Sequence, residues 1–315
     1  MNIVFFDKKT VGDVGNLNLL HKLGNLLVFD TTEPEQIIER ARDAEVIITN
    51  KVRIGPEIID SLPGLKLICV AATGMNNVDT AYAREKKIVV KNVVSYSTDS
   101  VAQLTFSMLL MLVNRPDYYD SFVKSGNYAR SNLFTHHGPV FWELAGKRMG
   151  IIGLGNIGRR VAKIAEGFGM EVVFYSTTGS NNNINYKRFD LNTLLRTSDV
   201  VSIHAPLTEG TRDLITYEKL KLMRACAVIL NTGRGGILNE AGLARALNEN
   251  VIAAAGIDVF TEEPIRSDNP LLKVLNREKI ILTPHIAWAS REARERLIEK
   301  IAKNIESFKR EYLNA

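Results

Sequence analysis

The feature that most constrains the fold of this chain is a regular alternation between short β-branched apolar runs and amphipathic helical patterns. Most of the apolar runs are continuous, which is typical of parallel strands that helices cover on both faces. Strands and helices that alternate in this way predict an α/β fold with doubly wound parallel sheets. The runs that we interpret as strands are IVFF (3–6), NLLVF (25–29), EVIIT (45–49), LKLICVAA (65–72), KIVVKN (87–92), RMGIIG (148–153), EVVFYS (171–176), VVSIHA (200–205), CAVILNT (226–232), AAAGIDV (253–259) and KIILTP (279–284).

The βα pattern runs through the chain twice. One set covers residues 1–98, and a second set begins at Arg148. Between them lie a long apolar helix over 100–113, where Ser100 and Gln103 have capping-box spacing, and a less regular stretch. Two further amphipathic patterns predict helices at 34–44 and 159–169.

The repeated pattern predicts two doubly wound domains. We expect one domain at 99–289 to be inserted into another made of 1–98 plus 290–315, because a last helix over 290–313 follows the final strand.

Composition and charge exclude several classes of protein. The chain has 315 residues, 45% of them apolar and 24% charged, which argues against disordered, collagen-like and coiled-coil chains. Its 40 basic and 35 acidic residues leave a charge of +5 without basic runs, so no nucleic-acid partner is expected. The N-terminal apolar run is too short for a signal peptide, and the helix at 100–113 is too polar for a membrane span. We expect a cytoplasmic protein without a membrane partner.

The cysteines and histidines do not indicate a metal site. Cys69 and Cys226 each lie in an apolar run without a CxxC partner, so we expect two buried free thiols in a reducing compartment. His136 and His137 are adjacent and lack the spacing of zinc ligands.

The segment GLGNIG at 153–158 is a GxGxxG motif between a predicted strand and a predicted helix. In that context Gly153 makes the tight turn, Gly155 lets the backbone approach a pyrophosphate, and Gly158 lets the helix pack on the strand. The motif therefore predicts dinucleotide binding.

The position that should bind the adenosine ribose is unusual. An acidic residue is expected at the end of the next strand, about 20 residues on. That strand ends at Ser176, followed by Thr177 and Thr178. A hydroxyl can bond ribose but does not repel a 2′-phosphate, so a nicotinamide dinucleotide is expected and the choice between NAD and NADP is left open.

Three further segments follow strands of the second set, where the carboxyl ends of parallel strands line a ligand crevice. They supply Arg234, Glu263 and His285. Reduction of a keto acid needs a fixed cation for the carboxylate, a proton donor for the carbonyl oxygen, and an acid that orients the imidazole and favours its charged form. The segments are NTGRGG (231–236), GIDVFTEEP (256–264) and TPHIAW (283–288).

Taken together, these motifs resemble the D-isomer-specific 2-hydroxyacid dehydrogenases over essentially the whole chain. The resemblance implies reversible reduction of a 2-oxo acid to the D-2-hydroxy acid by NAD(P)H. It implies that Arg234 binds substrate, that Glu263 pairs with the histidine, and that His285 is the acid/base. The stretches that carry it are ATGMNNVD (72–79), TDSVAQLT (98–105), GIIGLGNIGRRVAK (150–163), SIHAPLT (202–208), NTGRGGILNE (231–240), GIDVFTEEP (256–264) and TPHIAWAS (283–290).

The resemblance also implies two Rossmann-like domains, with the dinucleotide bound by 99–289 and the substrate by 1–98 plus 290–315. The active site is expected in the cleft, where closure would exclude water before hydride transfer. The resemblance further implies which residues hold the ligands. The backbone of Thr73, Gly74 and Met75 would hold the substrate carboxylate together with Arg234 and His285. Asp258 would lie near the nicotinamide. The residues assigned to the cofactor are Gly153, Gly155, Asn156, Ile157, Gly158, Ser176, Pro206, Thr232, Gly233 and Asp258.

Within the family, YSTTGSNNN (175–183) and HIAWAS (285–290) are most similar to bacterial glycerate dehydrogenases, also called hydroxypyruvate reductases. Two positions depart from the family: an acid is usual where Ser176 stands, and Glu is frequent where Gln103 stands. We therefore expect use of both cofactors, with NADH no worse than NADPH. The resemblance further implies a homodimer through about residues 100–146.

Other interpretations stay open. The C-terminal-binding-protein corepressors resemble the same family and bind NAD to regulate assembly, but they are expected to carry an extended tail. Formate dehydrogenase resembles the chain but has Gln in place of Glu263. Arg234, Glu263 and His285 could each be a structural residue, and only their joint occurrence favours catalysis. His204 could line the cofactor cleft or simply pack, and Trp288 could anchor the core or cover the substrate.

Overall fold

The computed structural model describes residues 1–181, 183 and 185–313. The chain divides into two units, the first made of Met1–Ser97 with the chain from Trp288 onward, and the second of Thr98–Ala287. Each unit has a sheet in which every strand pair is parallel. The predicted fold class, two doubly wound parallel-sheet units with one inserted into the other, is confirmed.

The elements are numbered in chain order. The strands are β1 (Asn2–Phe5), β2 (Asn25–Val28), β3 (Val46–Thr49), β4 (Leu67–Val70), β5 (Val89–Lys91), β6 (Arg148–Ile152), β7 (Glu171–Tyr175), β8 (Lys187–Arg188), β9 (Val200–Ile203), β10 (Val228–Asn231), β11 (Ala254–Ile257) and β12 (Ile280–Leu282). The α-helices are α1 (Asn18–His21), α2 (Ile37–Ala41), α3 (Pro56–Asp60), α4 (Thr80–Glu85), α5 (Thr98–Asn114), α6 (Pro116–Lys124), α7 (Asn156–Gly167), α8 (Leu191–Thr197), α9 (Tyr217–Leu220), α10 (Glu240–Asn248) and α11 (Arg291–Leu313).

The first unit is a five-stranded sheet in the order β2-β1-β3-β4-β5. Successive residues of a strand point to opposite faces, so the continuous apolar runs supply two cores. Ile3 and Phe5 pack with α11 on one face, and Val4 and Phe6 pack with α2 and α3 on the other. This explains why its central strands carry no polar alternation.

The second unit is a seven-stranded sheet in the order β12-β11-β10-β9-β6-β7-β8. The direction of winding reverses between β6 and β9, and in such sheets ligands bind outside the carboxyl ends of the strands at this point. α5 and α7 pack against each other and cover one face through side chains such as Leu109 and Val161. The glycine motif at 153–158 follows β6 directly, and so lies at the reversal.

Several local predictions are corrected. The helix predicted from Ser100 begins at Thr98, and the Ser100 hydroxyl donates to the Ala287 carbonyl oxygen, so Ser100 is not its N-cap. The helix predicted over 34–44 is a 3-10 turn followed by the short α2. The stretch 114–146 contains α6, and β8 was not predicted because it consists of two exposed basic residues.

The cysteine prediction is wrong for one residue. Cys69 lies in β4 and is fully buried, and burial raises the pKa of its thiol to about 12. Cys226 precedes β10 and is exposed, because that strand begins only at Val228. Among the described residues, no group of His, Cys, Asp and Glu could hold a metal ion, and no helix is long and apolar enough to cross a membrane.

Candidate active site

The glycine motif forms a tight turn that only glycine can make. Gly153 has a φ of +90°, and a Cβ added there would lie 2.8 Å from the backbone nitrogen of Ala205. A Cβ at Gly158 would overlap the carbonyl oxygen of Gly153. A Cβ at Gly155, in contrast, would meet no atom within 4 Å. The first and third glycines are therefore required by packing, and the second faces open space.

Gly155 is also the N-cap of α7, and no side chain of the described chain caps this helix. The N–H groups of the first turn at Ile157 and Gly158 have no partner within the helix and can bind an anion. The Arg159 guanidinium places a positive charge beside this turn. It is held there by the hydrogen bonds that it donates to the Leu154 carbonyl oxygen at 3.2 Å and to Asn156 Oδ1 at 2.6 Å. These groups fit the pyrophosphate of a dinucleotide.

The segment after β7 lies beside this loop. Ser176 is buried, and its hydroxyl accepts a hydrogen bond from the Asn181 backbone at 3.4 Å. The Asn181 side chain donates to the Leu154 carbonyl oxygen at 2.9 Å. Ser176 therefore stands at the strand end where an adenosine ribose is expected. Asn182, within the segment that carried the narrower family resemblance, lies outside the described residues.

Arg234 follows β10 in a loop with a defined backbone. The Asn231 side chain accepts from the Gly233 backbone at 3.1 Å and donates to the Arg234 carbonyl oxygen at 3.0 Å. A Cβ at Gly235 would overlap the Phe260 carbonyl, so this loop lies directly against the segment that leads to Glu263. No carboxylate of the described residues lies within 4 Å of the Arg234 guanidinium, and its charge is therefore not compensated by an ion pair.

Glu263 and His285 form a direct pair. Glu263 Oε2 lies 2.7 Å from His285 Nδ1, and Glu263 Oε1 accepts from the Phe260 backbone at 3.0 Å. Both side chains are about a quarter exposed, at 27% for His285 and 29% for Glu263. In the described chain, no group forms a hydrogen bond with His285 Nε2, so the second ring nitrogen is available to a ligand.

Asp258 positions the backbone around His285. His285 has a φ of +53°, which is uncommon for a residue with a side chain. The Asp258 carboxylate accepts from the backbones of Ile286 at 2.8 Å and Ala287 at 2.9 Å, and from the Thr283 hydroxyl at 2.6 Å. Burial raises the pKa of this carboxyl, while these hydrogen bonds oppose the rise. Asp258 is fully buried, so its contacts are with the segment that carries His285.

The remaining residues assigned to the cofactor lie around these loops. Gly233 approaches the sheet closely, because a Cβ there would lie 2.9 Å from the Ile203 carbonyl oxygen. Thr232 is buried and its hydroxyl lies 2.9 Å from that of Thr105. Pro206 is exposed, and its carbonyl oxygen accepts from the Thr211 hydroxyl at 2.7 Å.

His204 and Trp288 have structural contacts. His204 Nε2 lies 2.8 Å from the buried Ser202 hydroxyl, and its Nδ1 is buried without a partner among the described residues. Burial lowers the pKa of His204 to about 3. Trp288 makes an edge contact with Tyr96, with ring centroids 6.2 Å apart, and packs on the core of the first unit. These contacts favour the packing interpretation of both residues.

The proposed substrate loop belongs to the first unit. Thr73, Gly74 and Met75 follow β4, where the Thr73 hydroxyl donates to the Val93 carbonyl oxygen at 3.0 Å and Met75 accepts from the Val78 backbone at 3.0 Å. Their assignment to the substrate stays a prediction.

Sequence reasoning missed one organising residue at the same sheet edge. Asp7 is buried after β1, and its carboxylate accepts from the backbones of Asn50 at 2.9 Å, Lys51 at 2.6 Å and Val52 at 3.3 Å. It thereby holds the loop after β3. The available signal was an acidic residue directly after a buried apolar run.

Comparison with known proteins identifies the family. Residues 106–287 match the model of the D-isomer specific 2-hydroxyacid dehydrogenase, NAD binding domain. The chain is 37% identical to a hydroxypyruvate reductase of Blautia hydrogenotrophica over 294 residues, covering 92% of this chain and 90% of that protein. It is 36% identical to a glycerate dehydrogenase of Methylorubrum extorquens over 307 residues, covering 97% and 95%.

A solved structure has the same fold over nearly its full length. The acyclic imino acid reductase Bsp5, in complex with NADPH and D-Arg, superposes with a TM-score of 0.87 at 30% identity, covering 99% of this chain and 98% of that chain. The resemblance inferred from the sequence motifs is thus confirmed. The chain belongs to the family of D-isomer-specific 2-hydroxyacid dehydrogenases, and its second unit contains the NAD-binding domain of that family.

Proposed function

We propose that this chain reversibly reduces a small 2-oxo acid of the glyoxylate or hydroxypyruvate type to the D-2-hydroxy acid. The observation that carries the proposal is the contrast between two charged groups in the second unit. Glu263 is paired with His285, whereas the Arg234 guanidinium has no carboxylate of the described residues within 4 Å. An unpaired arginine beside a glycine-rich loop suits a substrate that brings its own carboxylate.

Each side chain has a defined task in this reaction. Arg234 binds the carboxylate through charge-assisted hydrogen bonds and polarises the adjacent carbonyl. His285 holds a proton at Nε2 and donates it to the carbonyl oxygen. Glu263, hydrogen-bonded to Nδ1, orients the ring and stabilises the imidazolium. When bound, the nicotinamide would supply the hydride for the carbonyl carbon. His285 is left neutral and regains a proton from solvent, and oxidation of the hydroxy acid reverses these transfers.

The first two glycines and the N-terminus of α7 would hold the pyrophosphate. Gly155 leaves open space above the turn, and the N–H groups of Asn156 and Ile157 point out of the helix end. Ser176 would bond a ribose hydroxyl at the end of β7. The glycine turn and β7 both lie within residues 106–287, the part of the chain that matches the NAD-binding domain of the family.

The experiment is a substrate panel. The purified chain is mixed with glyoxylate, hydroxypyruvate or pyruvate, and with NADH or NADPH, and oxidation of the reduced nicotinamide is followed by absorbance. The buffer contains no amine, so that an imine cannot be the species reduced. In the reverse direction, D-glycerate should be oxidised and L-glycerate should not. Absence of turnover with every 2-oxo acid would contradict the proposal.

We also infer a homodimer through the segment at about residues 100–146. Large apolar side chains of this segment are exposed, including Phe134 at 91% and Val140 at 94%. In the same segment, His136 stacks on Phe122 with ring centroids 3.7 Å apart. Large exposed apolar side chains concentrated in one segment mark an interaction surface, and a second copy is the partner that the family resemblance implies.

A further inference from the structure

The segment between β7 and β8 carries positive charge and no compensating acid. From residue 172 to residue 189 the sequence contains no Asp or Glu, whereas Lys187 and Arg188 are both basic. This segment begins at the strand end where Rossmann folds place the adenosine ribose. The charge of this segment therefore affects whether the chain binds NADH, with its 2′-hydroxyl, or NADPH, with its 2′-phosphate, more tightly.

The sheet register brings Arg188 back to this strand end. Arg188 pairs with Phe174 of β7 in a parallel ladder. Its Nη1 donates to the Gly179 carbonyl oxygen at 2.9 Å, so the guanidinium lies against the turn that follows Ser176. Gly179 has a φ of +73°, which lets the chain reverse there. Although Arg188 lies twelve positions after Ser176 in sequence, its guanidinium is close to the end of β7, where the adenosine ribose is expected.

The Arg188 guanidinium is also free to bind an anion. Within the residues that the structure describes, no carboxylate lies within 4 Å of it, and the Gly179 contact uses one of its five N–H groups. Lys187 differs, because its ammonium lies over the Phe189 ring at 5.2 Å. Thr178 and Ser180, whose hydroxyls lie 2.8 Å apart, add exposed donors on the same turn.

We propose that Arg188 binds the 2′-phosphate of NADPH and makes this chain prefer NADPH to NADH. The proposal rests on the dinucleotide binding in the proposed function, and it reverses the expectation from sequence that NADH serves at least as well as NADPH. A phosphate monoester has close to two negative charges at neutral pH, and a guanidinium binds such a group through two parallel hydrogen bonds. No acid at position 176 opposes this charge.

The test measures binding without catalysis. Dissociation constants for NADPH, NADH, adenosine 2′,5′-bisphosphate and 5′-ADP are determined by titration calorimetry. Wild type should bind NADPH about tenfold more tightly than NADH or better, and the bisphosphate should exceed 5′-ADP by a similar factor. Arg188→Ala and Arg188→Gln should each remove most of both preferences, and NADH affinity should change by less than about twofold. Lys187→Ala removes the same charge one residue away and should retain both preferences.

Three results would overturn the assignment of Arg188. Wild type could bind NADH as tightly as NADPH, the Arg188 variants could weaken NADH and NADPH by the same factor, or Lys187→Ala could match Arg188→Ala. Because 5′-ADP and the bisphosphate carry no nicotinamide, these results do not depend on turnover. If the chain binds NADPH more tightly than NADH but reduces no 2-oxo acid, the assignment of Arg188 stands and only the proposed reaction is wrong.

Discussion

At the scale of single residues, the two charged groups of the candidate site are held in different ways. The Glu263 carboxylate is fixed by the Phe260 backbone and by His285, at 3.0 and 2.7 Å. The Arg234 guanidinium donates to its own neighbour, the Gly233 carbonyl oxygen, at 2.8 Å. Glu263 is thus positioned before a substrate arrives, while most of the hydrogen-bonding capacity of Arg234 remains for the substrate.

Arg234→Ala should therefore weaken the use of substrate without lowering the stability of the fold. Loss of a charge-assisted contact with the substrate carboxylate should lower kcat/KM for glyoxylate by about 100-fold or more, equivalent to ~3 kcal/mol. The affinity for NADPH should stay close to wild type. Arg196→Ala, at an exposed position of α8 with no role in the proposed reaction, serves as the matched control. An unchanged kcat/KM in Arg234→Ala would mean that another group binds the carboxylate.

At the scale of elements, the glycine turn between β6 and α7 combines a packing requirement with a binding requirement. Gly158 is closed in by the Gly153 carbonyl, whereas Gly155 has open space where a Cβ would stand. The φ of Gly155 is −80°, which alanine adopts without strain. The two glycines therefore offer a matched pair of substitutions.

Gly155→Ala should leave the midpoint of thermal unfolding close to wild type and weaken NADH and NADPH binding by about tenfold, because the added methyl group stands where the pyrophosphate approaches. Gly158→Ala should lower the free energy of unfolding by about 1–3 kcal/mol through overpacking. Scanning calorimetry measures the thermal unfolding of each variant, and titration calorimetry measures its affinity for each nucleotide. If Gly155→Ala bound both nucleotides normally, the pyrophosphate would not lie over this turn.

The elements also show what could be predicted from sequence. Strands such as β3 and β10 were found because parallel strands buried on both faces leave continuous apolar runs. β8 left no such signal, since its two residues are exposed and basic and it is defined only by pairing with β7. As a result, the sequence did not predict that pairing with β7 brings Arg188 near the end of β7, where an adenosine ribose is expected.

The candidate site was predictable to a similar extent. Arg234, Glu263 and His285 could be selected because each follows a strand of the second sheet in a recognisable motif. Their catalytic roles stay a prediction. The tasks of Asp258 and Asp7 could not be predicted, since both act by accepting backbone N–H groups from residues distant in sequence. Such contacts depend on the completed sheet and leave no local pattern.

At the scale of the whole molecule, the partly buried His204, whose Nδ1 is shielded from solvent, should make stability depend on pH. Burial lowers its pKa to about 3 in the folded chain, against about 6.5 when unfolded. Below about pH 6.5 the unfolded chain binds a proton that the folded chain does not, so stability falls as the pH is lowered toward 3. The free energy of unfolding of wild type should therefore lose on the order of 1 kcal/mol per pH unit relative to His204→Gln. If the free energies of unfolding of wild type and His204→Gln, measured by urea denaturation, changed equally with pH, this account of His204 would be wrong.

The inferred dimer is a second property of the whole molecule. Light scattering at micromolar concentration should give about twice the 35.1 kDa of one chain. Replacing Phe134 and Val140 with Ser removes apolar surface without touching a buried core residue, and should shift the particle toward the monomer mass. As a control, Leu275→Ser changes an exposed side chain outside this segment. A wild-type particle with the mass of one chain would contradict the inference.

The most direct test of the central claim compares wild type with His285→Gln in the reduction of hydroxypyruvate by NADPH. Loss of the general acid should lower kcat by about 10²-fold to 10⁴-fold, while the dissociation constant of NADPH stays within about twofold of wild type. His137→Gln, at a position with no role in the proposed reaction, should keep full activity. If His285→Gln kept more than about a tenth of the wild-type kcat with hydride transfer rate-limiting, His285 would not be the acid/base and the proposed mechanism would be wrong.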